Sequence, residues 1–299
     1  DMSEARCEGY KSADQRVTLG ATWGGSDWGI HVSSDVNYTL GADDDASMSI
    51  YEAYASADLM GYASLTIGRQ ALNNGSGALM SSRDWGTDRT TWDGLTFGLN
   101  LDMADVTIGY ANMNHEAAIV DGGTGGEDYG NMHMNIGGEF SGWNVNFLYM
   151  TETTAGDRGD AATGLDISGN VGGAGVSASL NSDFAGNDMR VIGLSYAVND
   201  DMGVNVSQTV YGDEGNFNMA GTNMDGSWME TGGMGYLSAG DEDLSYGLSG
   251  SLAGISVGVS MHAITNSVDE AYERDVMEVD LGYSLGDNAG LGVSYATDG

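Results

Sequence analysis

Apolar and polar side chains alternate with a two-residue period from one end of this chain to the other, and stripes of helical period are scarce. Over 143–150, Trp143, Val145, Phe147 and Tyr149 fall on one face of an extended chain, with Asn144 and Asn146 on the other. Trp28, Ile30, Val32, Val36 and Tyr38 alternate in the same way with His31, Ser33, Asp35 and Asn37. The split recurs in Val17–Trp23, Leu95–Leu101, Val106–Tyr110, Val204–Val210, Leu244–Leu248, Ile255–Met261 and Leu291–Tyr295. This periodicity predicts about 16 strands, near 15–24, 28–40, 47–57, 60–69, 91–101, 104–113, 131–140, 142–151, 162–171, 174–181, 189–198, 202–211, 243–252, 254–264, 273–284 and 288–296.

Tight connections at Gly25-Ser26-Asp27, Asp102-Met103, Ser141-Gly142 and Gly286-Asp287-Asn288 alternate with longer Gly-, Asp- and Asn-rich ones. The long ones fall at 41–46, 70–90, 114–130, 152–161, 182–188, 212–242 and 265–272. Short turns at one end and long loops at the other describe an antiparallel meander. The stretch 212–242 is long enough to hold a further hairpin, which sets the expected range at about 14 to 18 strands. The absence of proline suits a chain of paired strands, because proline removes a ladder donor.

Alternation alone does not choose between a water-soluble sandwich and a membrane barrel. The second face here is Gly, Ser, Asn, Thr and occasional Asp, rather than the Lys, Arg and Glu that usually cover a solvent face and guard sheet edges. Such a face suits a crowded, wet interior. Strands of about 10 residues, short turns at one rim and long loops at the other are features of a transmembrane barrel. Trp23, Trp28, Tyr38, Trp143, Tyr149, Tyr283 and Tyr295 fall toward strand ends, where amphipathic rings sit at lipid headgroups. The expected fold is all-β: one transmembrane antiparallel up-and-down β-barrel spanning 1–299 as a single domain. Its lumen-facing phase carries His31, Asp35, Asn144, Asn146 and His262.

Charge narrows the partners. The 299 residues carry 44 Asp and Glu against 9 Lys and Arg, a formal net charge of -35. Nucleic acid is not an expected partner, since tracking phosphates needs clustered basic side chains. Cys7 has no second cysteine for a disulfide or zinc site. No stretch reaches the roughly 18 apolar residues of a membrane-spanning helix. Residues 1–14 lack the basic and apolar regions of a signal peptide, so the chain reads as beginning after any export signal.

The run Tyr62-Ala63-Ser64-Leu65-Thr66-Ile67-Gly68-Arg69-Gln70, followed by Trp85, Arg89 and Trp92-Asp93-Gly94-Leu95, resembles a strand, loop and strand of Gram-negative outer-membrane porins, particularly the alginate-export type. Trp92 stands where that family usually has Phe. The resemblance covers about 50 residues; elsewhere it is one of hairpin rhythm and composition. It implies a bacterial outer-membrane location, lipid bilayer and lipopolysaccharide around the barrel, a homotrimer, and passive diffusion of small hydrophilic solutes. The ending Ala296-Thr297-Asp298-Gly299 lacks the terminal aromatic usual in such barrels and reads as a truncated or unusual C-terminus.

In porins a long loop folded into the barrel narrows the pore, and facing Arg and Asp side chains select by charge and size. The connection 70–90 contains or adjoins Arg69, Arg83 and Arg89, a third of the 9 basic residues. With Asp84, Asp88 and Asp93 they form the expected pore constriction. The acidic excess makes a water-filled lumen attract cations, and it equally suits a salty habitat.

Other candidate chemistry is sparse, and no cofactor or resident metal is expected. Asp43-Asp44-Asp45 offers a loose Ca²⁺ contact at most, because three consecutive residues do not converge the roughly 6 to 8 oxygens of a tight site. Gly122-Gly123-Thr124-Gly125-Gly126-Glu127-Asp128 lacks the repeat of a calcium-binding solenoid. His31, His133 and His262 take the polar phase and His115 a loop, none with a second ligand at metal spacing. Gly254-Ile255-Ser256-Val257-Gly258 fits GxSxG but lies in an alternating strand rather than a strand-to-helix turn, so no enzyme is expected. The alternatives are a secreted or cell-surface acidic structural or adhesin β protein, marked by apolar packing between two sheets, and a barrel enzyme with a catalytic set at its rim.

Overall fold

A chain that alternates every second residue must pair its backbone laterally, because extended segments have no internal hydrogen bonds. The computed structural model describes residues 14–39, 46–82, 89–114, 129–154, 157–217, 219, 237–286 and 289–298. They form β1 (Asp14–Gly24), β2 (Trp28–Thr39), β3 (Ser47–Leu59), β4 (Ala63–Gln70), β5 (Thr91–Leu101), β6 (Ala104–Asn114), β7 (Tyr129–Phe140) and β8 (Trp143–Thr154). The second half holds β9 (Asp157–Val171), β10 (Ala174–Ser182), β11 (Asp188–Asn199), β12 (Met202–Tyr211), β13 (Asp241–Leu252), β14 (Ile255–Asn266), β15 (Glu273–Gly286) and β16 (Ala289–Asp298). Each strand lies antiparallel beside the next in a single 16-stranded sheet ordered β1 to β16. This is an up-and-down β-barrel.

Tight connections alternate with longer ones, as the sequence predicts, and several tight turns match the twist of the flanking strands. Ser141 (φ 53) with Gly142 (φ 82), and Ala253 (φ 54) with Gly254 (φ 82), place both central residues at positive φ, the arrangement favoured between twisted antiparallel strands. Gly254 is thus a hairpin residue, and Ser256 belongs to β14; no nucleophile elbow exists there.

One predicted loop is corrected. β8 continues to Thr154 and β9 starts at Asp157, so most of 152–161 is strand, with Thr154 opposite Asp157. The Thr-, Gly- and Asp-rich composition carries little β signal of its own, while a neighbouring strand supplies partners for its backbone. Residues 212–217, 219 and 237–240 hold no strand, and the rest of the stretch proposed for a further hairpin lies outside the described residues.

Directly paired residues share a face, so register assigns every side chain to one side of the barrel wall. Leu194, Val206 and Tyr246 lie abreast on β11, β12 and β13, 46 to 53% exposed. Trp23, Trp28, Tyr62 and Tyr283 surround the tight-turn rim and are exposed. Broad apolar exposure on one sheet face fits hydrocarbon rather than water.

The opposite, inward face corrects a second expectation. It is not uniformly small and polar: Trp92, Ala111, Leu148, Met150, Ala162, Met189 and Tyr211 project from it into a buried apolar cluster. The cluster is completed from outside the strands by Ala78, Leu79 and Met80 of the β4–β5 connection and by Phe217 and Met219 after β12. The barrel therefore has an internal core, at the long-loop end, in place of a wholly wet interior.

Introducing a charge on each face in turn tests this assignment. Val206→Arg, on the outward face, is expected to lower unfolding stability in phospholipid vesicles by about 2–4 kcal/mol. Ser207→Arg, one residue along and inward, is expected to cost less. Denaturant titration of the vesicle-folded barrel compares the two.

Candidate channel constriction

The β4–β5 connection turns into the barrel because its own sequence folds it compactly. Asn73-Asn74-Gly75-Ser76-Gly77 combines Asn with glycines at positive φ (Gly75, 58; Gly77, 80), the chemistry of a sharp turn. Gly77 N–H donates to Asn74 O at 3.1 Å and Asn74 N–H to Met80 O at 3.1 Å. Asn73 and Ser82 clasp each other, Ser82 N–H to Asn73 Oδ1 at 2.7 Å and Asn73 Nδ2 to Ser82 Oγ at 2.8 Å. Thr90 N–H then donates to Ser82 O at 2.8 Å, bringing the two ends of the segment together.

Two polar anchors and one apolar plug hold this segment. At its tip, Ser76 N–H donates to Asp166 Oδ2 on β9 at 2.9 Å, and Ser76 Oγ lies 3.0 Å from Ser179 Oγ on β10. At its far end, Arg89 Nε donates to Asp35 Oδ2 on β2 at 2.9 Å and Arg89 Nη2 to Thr18 Oγ1 on β1 at 3.1 Å. The Arg89 guanidinium also sits 3.2 Å above the Tyr51 ring. Between the anchors Leu79 and Met80 are buried, each contributing about 1.5–3 kcal/mol against exposure. A folded-back segment that touches β1, β2, β9 and β10 together requires the sheet to curve around it.

Gly75 lets the tip come close to the first anchor. A Cβ at that position would lie 1.9 Å from Asp166 Oδ2 and 2.7 Å from Asn146 Nδ2. The positive φ favours glycine, and any larger residue would have to push the Asp166 and Asn146 side chains aside, breaking the contact that holds the tip.

The predicted constriction set divides three ways. Arg89 is inside, joined to Asp35, with side chains 10% and 4% exposed. Arg69 and Asp93 are not: they face each other across β4 and β5 on the outward phase, in line with Ile67 and Leu95. Their two parallel hydrogen bonds measure 2.8 Å each, and Arg69 Nη1 also donates to Ile50 O at 3.2 Å. Strand parity rather than proximity in sequence decides this, because Arg69 shares its face with Ile67 and not with Gln70. Arg83, Asp84 and Asp88 lie outside the described residues, as do Cys7, Asp43–Asp45, His115 and 122–128.

The register puts His31, Asp35, Asn144, Asn146 and His262 on the inward face. His31 Nδ1 lies 2.8 Å from Thr22 Oγ1, and its ring stacks on Tyr54 with centroids 5.2 Å apart. His262 sits between two carboxylates, Nδ1 2.8 Å from Asp243 Oδ2 and Nε2 3.8 Å from Glu278 Oε2. His133 is buried inward against Gly109. Among the described residues no three His, Cys, Asp or Glu side chains converge as metal ligands.

Sequence reasoning passed over Gly75, Ser76, Asp166 and the apolar plug. A signal was present: Leu148 and Met150 break the alternation that Asn144 and Asn146 begin, marking where the polar phase turns apolar.

No family model matches the chain, and no curated protein does. Solved structures do share its architecture. The outer membrane protein OpdK from Pseudomonas aeruginosa superposes with a TM-score of 0.71 at 12% identity, covering 95% of this chain and 88% of that one. P. aeruginosa OccK5 (OpdH) gives 0.70 at 10% identity over 95% and 87% of the two chains. P. aeruginosa OccD3 (OpdP) gives 0.69 at 11% identity over 98% and 82%. At these identities the likeness is one of fold: a barrel of this size and strand order.

Replacing Gly75 tests the tip anchor. Gly75→Val is expected to weaken docking of the segment by about 1–3 kcal/mol through overpacking and to raise the conductance of the bilayer-reconstituted barrel. Gly292→Ala, where an added Cβ would meet only Leu281 O at 3.9 Å, is expected to leave conductance unchanged.

Proposed function

We propose that this chain is an outer-membrane porin: a water-filled channel through which ions and small hydrophilic solutes diffuse, with a preference for cations. The observation that carries the reading is the described part of the β4–β5 connection, 71–82 with 89–90, which lies inside the barrel, is held at Asp166 and Asp35, and stands against an inward phase of Gly, Ser, Thr, Asn and acidic side chains beside the apolar cluster. The neighbours support the location, one of them being described as an outer membrane protein. The outward apolar face supports lipid contact, with lipopolysaccharide at the long-loop rim.

Cation preference follows from the charge of the wall. Asp35, Glu52, Asp166, Asp243 and Glu278 stand on the inward face, and the inward Arg89 is joined to Asp35. The inward phase also carries Arg16 and Arg274, and a low-dielectric tube whose wall holds an excess of one sign concentrates the opposite one.

The alginate-export resemblance rests on 62–70, Trp85, Arg89 and 92–95; within it Gln70, Arg89 and Trp92 face inward, and Trp85 lies outside the described residues. Arg69 and Asp93 support the homotrimer reading instead. A charged pair set among Ile50, Ile67 and Leu95 is poorly placed against hydrocarbon and well placed against a second protomer.

Single-channel recording of detergent-purified protein in a planar bilayer tests the proposal. Discrete steps, with a reversal potential across a salt gradient directed toward cation selectivity, are the expected result. Anion-directed reversal would remove the charge argument, and a folded, inserted barrel without steps would remove the channel. Solubility without detergent would favour the cell-surface structural protein.

A further inference from the structure

On the outer surface of the barrel, at the long-loop rim, β10 to β13 carry a groove of about 490 Å³. Its floor follows one row of the ladder, in which Leu180, Arg190, Val210 and Glu242 lie abreast on the outward phase. Toward the tight turns the same phase of β11 reads Ile192, Leu194, Tyr196 and Val198, all half-exposed, so Arg190 is the first charge met at the edge of the apolar band. The Arg190 side chain is exposed and forms no ion pair or hydrogen bond with another described residue. Val210 stands between it and Glu242, while Asp188 and Asp213 line the groove on the long-loop side of the row.

A guanidinium at the boundary of hydrocarbon takes a phosphate through two parallel charge-assisted hydrogen bonds. The carboxylates beside it are acceptors only: they repel a second phosphate and accept hydrogen bonds from sugar hydroxyls. Below the row, Leu180, Ile192 and Leu244 lead straight into the lipid-facing phase, which offers acyl chains a surface. One cation, several acceptors and an adjoining apolar face fit a lipid whose head is a phosphorylated sugar, since a glycerol phosphate brings few donors for the carboxylates. We infer that this groove binds a phosphorylated glycolipid of the outer leaflet, with its phosphate on Arg190, its sugar hydroxyls on Asp188, Asp213 and Glu242, and its acyl chains down the outward faces of β10 to β13. The inference rests on the outer-membrane reading and names the site and the chemistry of its lipid contact.

The test is a titration of the folded, detergent-purified barrel with monophosphoryl lipid A, read by native mass spectrometry. Dephosphorylated lipid A and phosphatidylglycerol serve as comparators, and inorganic phosphate as competitor. Monophosphoryl lipid A is expected to bind, with both comparators much weaker and inorganic phosphate unable to displace it. Arg190→Gln is expected to lower the affinity about tenfold or more, while single-channel conductance in KCl stays unchanged because the residue is outside the lumen. Arg274→Gln, which removes the same charge from the inward phase, is expected to leave lipid binding intact. No binding, equal binding of either comparator, displacement by inorganic phosphate, an unaltered Arg190→Gln affinity, or an equal loss from Arg274→Gln would each overturn the site while leaving the barrel in its membrane. A chain that stays folded and soluble without detergent would overturn the outer-membrane reading, and the site with it.

Discussion

The unbroken antiparallel ladder is the constraint on which the rest of this molecule depends. Backbone N–H and C=O groups in a thin wall have no partners except those on neighbouring strands, so each strand must lie beside the next along its length. Once that pairing is set, side-chain direction is a matter of parity. Every residue takes one face or the other, and its opposite number on the next strand takes the same one. The outward apolar face, the inward polar face and the placing of Arg69 outside all follow from this one rule.

Parity also explains how the connection after β4 is received inside the barrel without a separate domain. The connection after β4 is folded back on itself by Asn73, Asn74 and Ser82, and it buries Ala78, Leu79 and Met80, with Leu72 packed beside them. The wall meets them with Trp92, Leu148, Met150 and Met189, apolar residues on the phase that elsewhere is polar. Apolar burial supplies the stability and the polar anchors supply position: Ser76 on Asp166 sets the tip, and Arg89 on Asp35 sets the base. The break in the alternation thus marks where the connection docks against the wall.

Electrostatics divides the same wall into regions. Around Asp35 a buried guanidinium neutralises the acid and is itself locked in place, since either charge alone in that setting would be costly. Around β13 to β15, Asp243 and Glu278 flank His262. On the β7 to β11 side, Asp166 and Glu139 face the lumen with no cation in the cavity they line. The net charge of -35 is therefore not spread as a uniform field. It is cancelled at the base of the segment, where Arg89 meets Asp35, and meets no Lys or Arg in the cavity at its tip, where Asp166 and Glu139 stand.

Sequence by itself determined the strand number, the meander, the tight-turn and long-loop rims and the two faces, because a two-residue period is a local property of extended chain and survives any arrangement of the strands. His31, Asp35, Asn144, Asn146 and His262 were legible for the same reason. Arg69 and Asp93 cluster in sequence with Arg89 but stand on the opposite phase, in line with Ile67 and Leu95. Only the tertiary structure decided that Ser76 meets Asp166, 90 positions away, that Arg89 meets Asp35, and that Leu79 is buried against Gly164. Those contacts depend on the curvature of the whole sheet, which brings strands distant in sequence around one segment, and no local periodicity encodes which of them it will reach.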